Sequence, residues 1–125
     1  MKLVKPKKNL GQHFLTDLTI ARRIADTVDA CPALPILEIG PGMGVLTQFL
    51  VTKGREVKAV EIDRESVAFL HGNYPQLRDN IIGEDFLRMD LSTVFGGRPF
   101  VLCSRAIIPT TFRRRFSLKC STTRS

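Results

Sequence analysis

Residues 36–44 read Ile36-Leu37-Glu38-Ile39-Gly40-Pro41-Gly42-Met43-Gly44. An apolar run of strand length ends in three glycines on alternate positions. The next apolar run closes on Val60-Glu61-Ile62-Asp63. A strand that stops at a very tight turn, followed by a strand that ends on a carboxylate, describes an α/β domain that holds a nucleoside. Glycine lets a turn backbone come close to a ligand. A carboxylate at the end of the second strand can accept hydrogen bonds from both hydroxyls of a ribose.

Two kinds of nucleoside compete. A dinucleotide site calls for G-x-G-x-x-G, whose third glycine packs helix against strand. Here the spacing is G-x-G-x-G, and Val45 stands where a dehydrogenase has glycine. Glu38 lies two positions before the first glycine. The resulting E-x-G-x-G-x-G resembles motif I of the methyltransferases that use S-adenosylmethionine. In that reading the turn accommodates the methionine part of the donor and Glu61 takes the ribose. The pattern favours the methyl donor over a dinucleotide. A ligand-free glycine turn would leave the spacing to Glu61 a coincidence.

The 125 residues suffice for one small domain with a real core. No apolar stretch approaches the roughly 18–20 residues of a membrane span, and the basic N-terminus lacks the apolar segment of a signal peptide. Cys31, Cys103 and Cys120 are odd in number and show no metal spacing. His13 and His71 have no cysteine or histidine neighbours. These features predict a reduced, cytoplasmic, metal-free protein. The net charge of +7 invites a nucleic-acid partner, but it is unevenly spread. Residues 104–125 hold Arg105, Arg113, Arg114, Arg115, Lys119 and Arg124 with no acid. The rest of the chain is nearly balanced.

Residues 1–16 form a basic arm with Lys2, Lys5, Lys7 and Lys8, either a solvated terminus or a phosphate-contacting segment. Asp17 can cap a helix from about Leu18 to Asp29, with Ile20, Ile24 and Val28 on one face. Pro32 and Pro35 lead into a first strand over 36–40. A helix follows from Met43–Gly44 to Gly54, with Leu46, Phe49 and Leu50 inward. The pattern then predicts a strand over 56–62, a helix over 64–71 capped by Asp63, a short strand at Ile81-Ile82 and a strand over 100–103. Strand and helix alternate, which means a parallel sheet with helices on its faces. In such a sheet ligands lie outside the carboxyl ends of the strands. The positions to inspect are Gly40, Glu61, Asp85 and Cys103 onward. Asp85 can accept from an adenine amino group, with Phe86 flanking the ring; a plain surface acid is the alternative.

Residues 8–17, Lys8-Asn9-Leu10-Gly11-Gln12-His13-Phe14-Leu15-Thr16-Asp17, complete a resemblance. This string, at its distance before E-x-G-x-G-x-G, is similar to the N-terminal signature of the ribosomal RNA adenine dimethyltransferases. The resemblance covers residues 5–103. It implies a Rossmann-like, S-adenosylmethionine-dependent methyltransferase domain, here spanning about four parallel strands within residues 17–103. It implies N6-dimethylation of adenines in small-subunit (16S) ribosomal RNA, with the small ribosomal subunit as partner and the protein a monomer. Carried over by position, His13 and Leu15 contact the donor from the arm. Gly40 and Gly42 lie against its methionine part, Glu61 holds the ribose, and Asp85 with Phe86 takes the adenine. Similar enzymes that methylate large-subunit RNA and confer macrolide resistance rank second, and a non-catalytic basic RNA-binding module is a further alternative.

Members of this family carry N-[LIFY]-P-Y after the fourth strand. The Asn side chain and the carbonyl at Pro accept the two N–H bonds of the adenine amine, and the aromatic ring stacks on the flipped base. Here the chain reads Cys103-Ser104-Arg105-Ala106-Ile107-Ile108-Pro109-Thr110, with no such motif, so no catalytic residue is assigned. Residues 104–125 read as an aberrant basic tail, expected to be disordered. One back-translation of residues 104–119, read from the last base of the Arg105 codon, yields Gly-Asn-Tyr-Pro-Tyr. The expectation is a reading frame that shifts near codon 104, leaving an inactive N-terminal portion of the enzyme. A divergent RNA-binding extension is the alternative.

Overall fold

The computed structural model of the chain describes residues 18–104. The arm with His13 and Leu15, the Asp17 cap and the tail from residue 105 lie outside the described residues.

The first helix, α1 (Leu18–Asp26), buries Ala21 and Ala25, with Ile24 packed beside them and Val28 buried just beyond its end. This is the i, i+3, i+4, i+7 stripe of an amphipathic helix. It is centred one residue away from the expected face, because Ile20 is exposed. The helix is also shorter than expected: at Thr27 it tightens into a 3₁₀ turn, Thr27–Ala30.

Four parallel strands follow: β1 (Ile36–Ile39), β2 (Val57–Val60), β3 (Ile81–Ile82) and β4 (Val101–Cys103), in the order β3-β2-β1-β4. β1 is central, with Ile36 opposite Val57 on one side and Val101 on the other. All four of its residues are buried. Alternation sends Ile36 into an apolar layer with α1, Val45, Leu46 and Leu50, while Leu37 and Ile39 enter a second layer with Leu91, Phe95 and Phe100. Both faces of the sheet are thus covered, as a parallel sheet requires.

The helix expected from Met43–Gly44 to Gly54 is a single α-turn, α2 (Thr47–Leu50), continued by a 3₁₀ turn, Val51–Lys53. Positive φ at Gly40, Gly42 and Gly44 keeps the preceding segment out of helical conformation. Gly54 ends the element in the left-handed region, φ 68°. The next helix, α3 (Arg64–Asn73), starts at the expected cap: the Asp63 carboxylate accepts from the Ser66 backbone N–H. It runs through Gly72 to Asn73 before Pro75 opens a 3₁₀ turn, Pro75–Asn80.

Among the described residues no helix is long and apolar enough to cross a membrane. Cys103 is a free, buried thiol.

Candidate functional site

Because all four strands run the same way, their carboxyl ends share one edge of the sheet. The backbone ladder extends past the strands there: Gly40 N–H donates to Val60 O (2.9 Å) and Glu61 N–H donates to Ile82 O (2.9 Å). Gly40, Glu61 and Gly83 therefore stand side by side, and a Cβ on Gly83 would lie 3.9 Å from the Glu61 carbonyl oxygen.

Glu61 is nearly buried, and its carboxylate organises the edge. Oε1 accepts from the Gly42 N–H at 2.8 Å and Oε2 accepts from the Asp63 N–H at 3.0 Å. The carboxylate thus ties the glycine turn to the end of β2. An ionised carboxylate offers about four lone-pair positions, so each oxygen keeps capacity for a further donor such as a ribose hydroxyl.

The glycines of the turn have different surroundings. Gly40, φ +66°, has no other described residue within 4 Å of where a Cβ would sit, so among the described residues the space beside its backbone is open. Gly44, φ +86°, is closed in: a Cβ there would stand 2.8 Å from Cε2 of Tyr74. Glu38 does not face the open side. It is buried, and its Oε1 accepts from the Thr47 hydroxyl at 2.6 Å, joining β1 to α2.

Asp85 sits beyond β3, partly exposed. Its Oδ1 accepts from the Leu87 N–H at 3.0 Å, and its Oδ2 lies 3.8 Å from Nε of Arg88. Phe86 is half-buried against the second apolar layer, beside Ile82 and Met89. The large apolar side chains left outward in this region are Ile62, 65% exposed, and Leu87, 55% exposed. Sequence reasoning passed over Ile62. The available signal was its place directly after Glu61, where an apolar residue has no strand left to bury it. At the end of β4 the Cys103 thiol is pushed up to about 12 by burial and by the charge of Glu38, the residue opposite it in the register. It is a packed, protonated thiol and no nucleophile.

The sequence profile described as "Ribosomal RNA adenine dimethylase" matches residues 4–105. The chain belongs to the ribosomal RNA adenine dimethylase family. Among relatives of this family, the "Ribosomal RNA small subunit methyltransferase A" of Phocaeicola vulgatus is 68% identical over 102 residues, covering 82% of this chain and 36% of the relative. Its namesake in Bacteroides fragilis is 70% identical over 102 residues, covering 82% and 38%. The chain thus spans a little over a third of the length of these relatives. Among solved structures, the 23S rRNA methyltransferase ErmE matches with a TM-score of 0.58 at 32% identity, over 79% of this chain and 38% of that one. An S-adenosylmethionine-dependent methyltransferase from Clostridium acetobutylicum matches with a TM-score of 0.57 at 17% identity, over 76% and 39%, a likeness of fold alone. The four-stranded dimethylase sheet is therefore the Rossmann-like methyltransferase arrangement expected from the sequence.

Proposed function

We propose that residues 17–103 are the donor-binding portion of an enzyme that dimethylates the N6 amine of adenines in small-subunit (16S) ribosomal RNA, and that its methyl donor is S-adenosylmethionine. The observation that carries the reading is the junction of Gly42 and Glu61 at the carboxyl edge of the sheet, in a chain of the rRNA adenine dimethylase family. The residues present fit the donor. The open space beside Gly40 can take its methionine part. The spare lone pairs of Glu61 suit two ribose hydroxyls. Ile62 and Leu87 offer apolar surface to an adenine ring, and Asp85 offers an acceptor to its amino group. His13 and Leu15 of the basic arm would close over the donor. The partner is the small ribosomal subunit, in the cytoplasm, met by a monomer.

When bound, the donor supplies a methyl group on a sulfonium, which an adenine amine attacks in line. Family members hold that amine with acceptors after the fourth strand. Cys103-Ser104-Arg105-Ala106 offers no such set, so this chain binds the donor without transferring its methyl group. Identity to the small-subunit relatives is about twice that to ErmE, which favours the small subunit over the large.

Isothermal titration with S-adenosylmethionine and S-adenosylhomocysteine tests the reading. Saturable binding that disappears in Glu61→Ala is expected, with no transfer of labelled methyl to small-subunit RNA. A folded chain that binds neither ligand would overturn the donor assignment. Methyl transfer by the 125-residue chain would overturn its inactivity. Salt-sensitive RNA binding that survives Glu61→Ala, without donor binding, would favour the RNA-binding module.

A further inference from the structure

We infer that Tyr74 is a positioning residue for the donor site, and that what excludes a side chain at Gly44, beyond its positive φ, is Tyr74 and not the donor. The inference rests on the donor reading above. The two outer glycines of the turn share a positive φ but differ in what surrounds them. Beside Gly40, among the described residues, no atom other than those of its chain neighbours lies within 4 Å of the Cβ position. Beside Gly44 the space is filled by the chain itself. A Cβ would come within 2.8 Å of Cε2, 2.9 Å of Oη and 3.2 Å of Cζ of the Tyr74 ring.

The same ring also holds the turn by a polar contact. The Tyr74 hydroxyl donates to the Gly44 carbonyl at 3.3 Å. Burial, followed by the charge of Glu38, raises its pKa above the ordinary tyrosine value, so the donor proton is retained. Tyr74 is itself fixed at the end of α3. Its N–H donates to Leu70 O at 2.8 Å, its carbonyl accepts from Leu77 N–H at 2.9 Å, and its side chain packs against the first apolar layer. The turn is thus clamped at two alternate residues, Gly42 by the Glu61 carboxylate and Gly44 by Tyr74. The hydrogen bond of Tyr74 falls on Gly44, whereas the carboxylate assigned to the ribose, Glu61, bonds Gly42 and Asp63. The effect of Tyr74 falls on the part of the donor that lies along the turn, which is the amino-acid part.

This separates positioning from general support of the fold. S-adenosylhomocysteine uses the turn; methylthioadenosine has the same nucleoside without the amino-acid part. Affinities for both would be measured by calorimetry on the full chain, with circular dichroism on each variant. Tyr74→Phe keeps the ring and loses the hydrogen bond, so S-adenosylhomocysteine affinity falls about fivefold. Tyr74→Ala loses the ring and falls about tenfold or more. In both, methylthioadenosine affinity stays within about twofold. Gly44→Ala weakens S-adenosylhomocysteine binding less in a Tyr74→Ala background than alone, because the clash is gone and only the backbone strain remains. Equal losses for the two ligands, or no loss, overturn the inference. If Tyr74→Ala does not fold, Tyr74→Phe and Tyr74→Leu carry the same comparison. If the wild-type chain binds neither ligand, the donor reading has failed. Amide exchange at residues 42–48 then decides the clamp: faster exchange in Tyr74→Phe supports it, and unchanged exchange rejects it.

Discussion

Glu61 serves two backbone amides with one carboxylate and has lone pairs left for a ligand. That double duty makes it sensitive to a change that conserves shape. In Glu61→Gln one oxygen becomes an NH₂, which must face the N–H of either Gly42 or Asp63. Donor affinity should fall roughly 10- to 100-fold, the range for losing charge-assisted hydrogen bonds. Titration calorimetry checks it, and affinity within twofold of wild type would reject the role given to Glu61. A second residue-scale expectation concerns Glu38. Thr47→Val removes one donor from a buried carboxylate and should cost about 1–3 kcal/mol in urea unfolding. The placement of Gly40 and Glu61 at adjacent strand ends was legible in the sequence because strand ends and glycine spacing fall on one short stretch of chain. Tyr74 was not, since its partner Gly44 lies thirty residues away and nothing in the pattern around Tyr74 signals the contact. Glu38 was legible as part of a motif, but not its role: burial against Thr47 is a property of packing.

At the scale of elements, Arg55 joins the end of α1 to the start of β2. Its guanidinium donates to the carbonyls of Val28 (2.9 Å), Cys31 (2.6 Å) and Leu34 (2.9 Å). These carbonyls belong to the 3₁₀ turn after α1 and the loop into β1; Val28 O and Cys31 O also accept the N–H of Cys31 and of Leu34, so the guanidinium occupies their remaining acceptor capacity. A lysine is a point charge without the fork that reaches three acceptors. Arg55→Lys should therefore destabilise the fold by about 2 kcal/mol, read as a lower thermal midpoint with an unchanged far-ultraviolet spectrum; an unchanged midpoint would remove the clamp from the account. Elements were legible where a local rule sufficed. β1, β2 and β3 followed from apolar runs ending at glycine or acid, and α3 from the Asp63 cap. The helix after the glycine turn was overextended because Leu46, Phe49 and Leu50 suit a short helix with a 3₁₀ tail as well as a long one. The face of α1 was misplaced by one residue for a related reason. Alanine lets a helix sit close to a sheet, and Ala21 and Ala25 carried that contact while Ile20 looked the better candidate.

For the whole molecule, ionisation and topology set the behaviour. Cys103 is pushed up to about 12 from an ordinary value of 9.0, and burial also raises Tyr74. Both are acids that stay protonated in the fold and ionise more readily when unfolded. Above pH 9 the unfolded chain binds fewer protons than the folded one, so stability declines as pH rises towards 12. Each group contributes a slope of at most about 1.4 kcal/mol per pH unit. Urea unfolding between pH 8 and 11 checks the decline; a flat profile would contradict it. Cys103 should also resist alkylation at pH 8 until the chain is unfolded. The family match stops at residue 105, where the expected acceptor motif gives way to Arg105-Ala106. Resequencing the DNA around codons 100–110 should reveal a displaced reading frame; an intact frame would make the tail a genuine divergence. Topology has a consequence for synthesis. β1 is the central strand, yet its two neighbours leave the ribosome far apart in time: Val57 soon after Ile36, Val101 much later. At about 5–20 residues per second, the nascent β1–β2 pair waits on the order of 2–9 s with one side of β1 bare, and translation halted before Phe100 leaves it so.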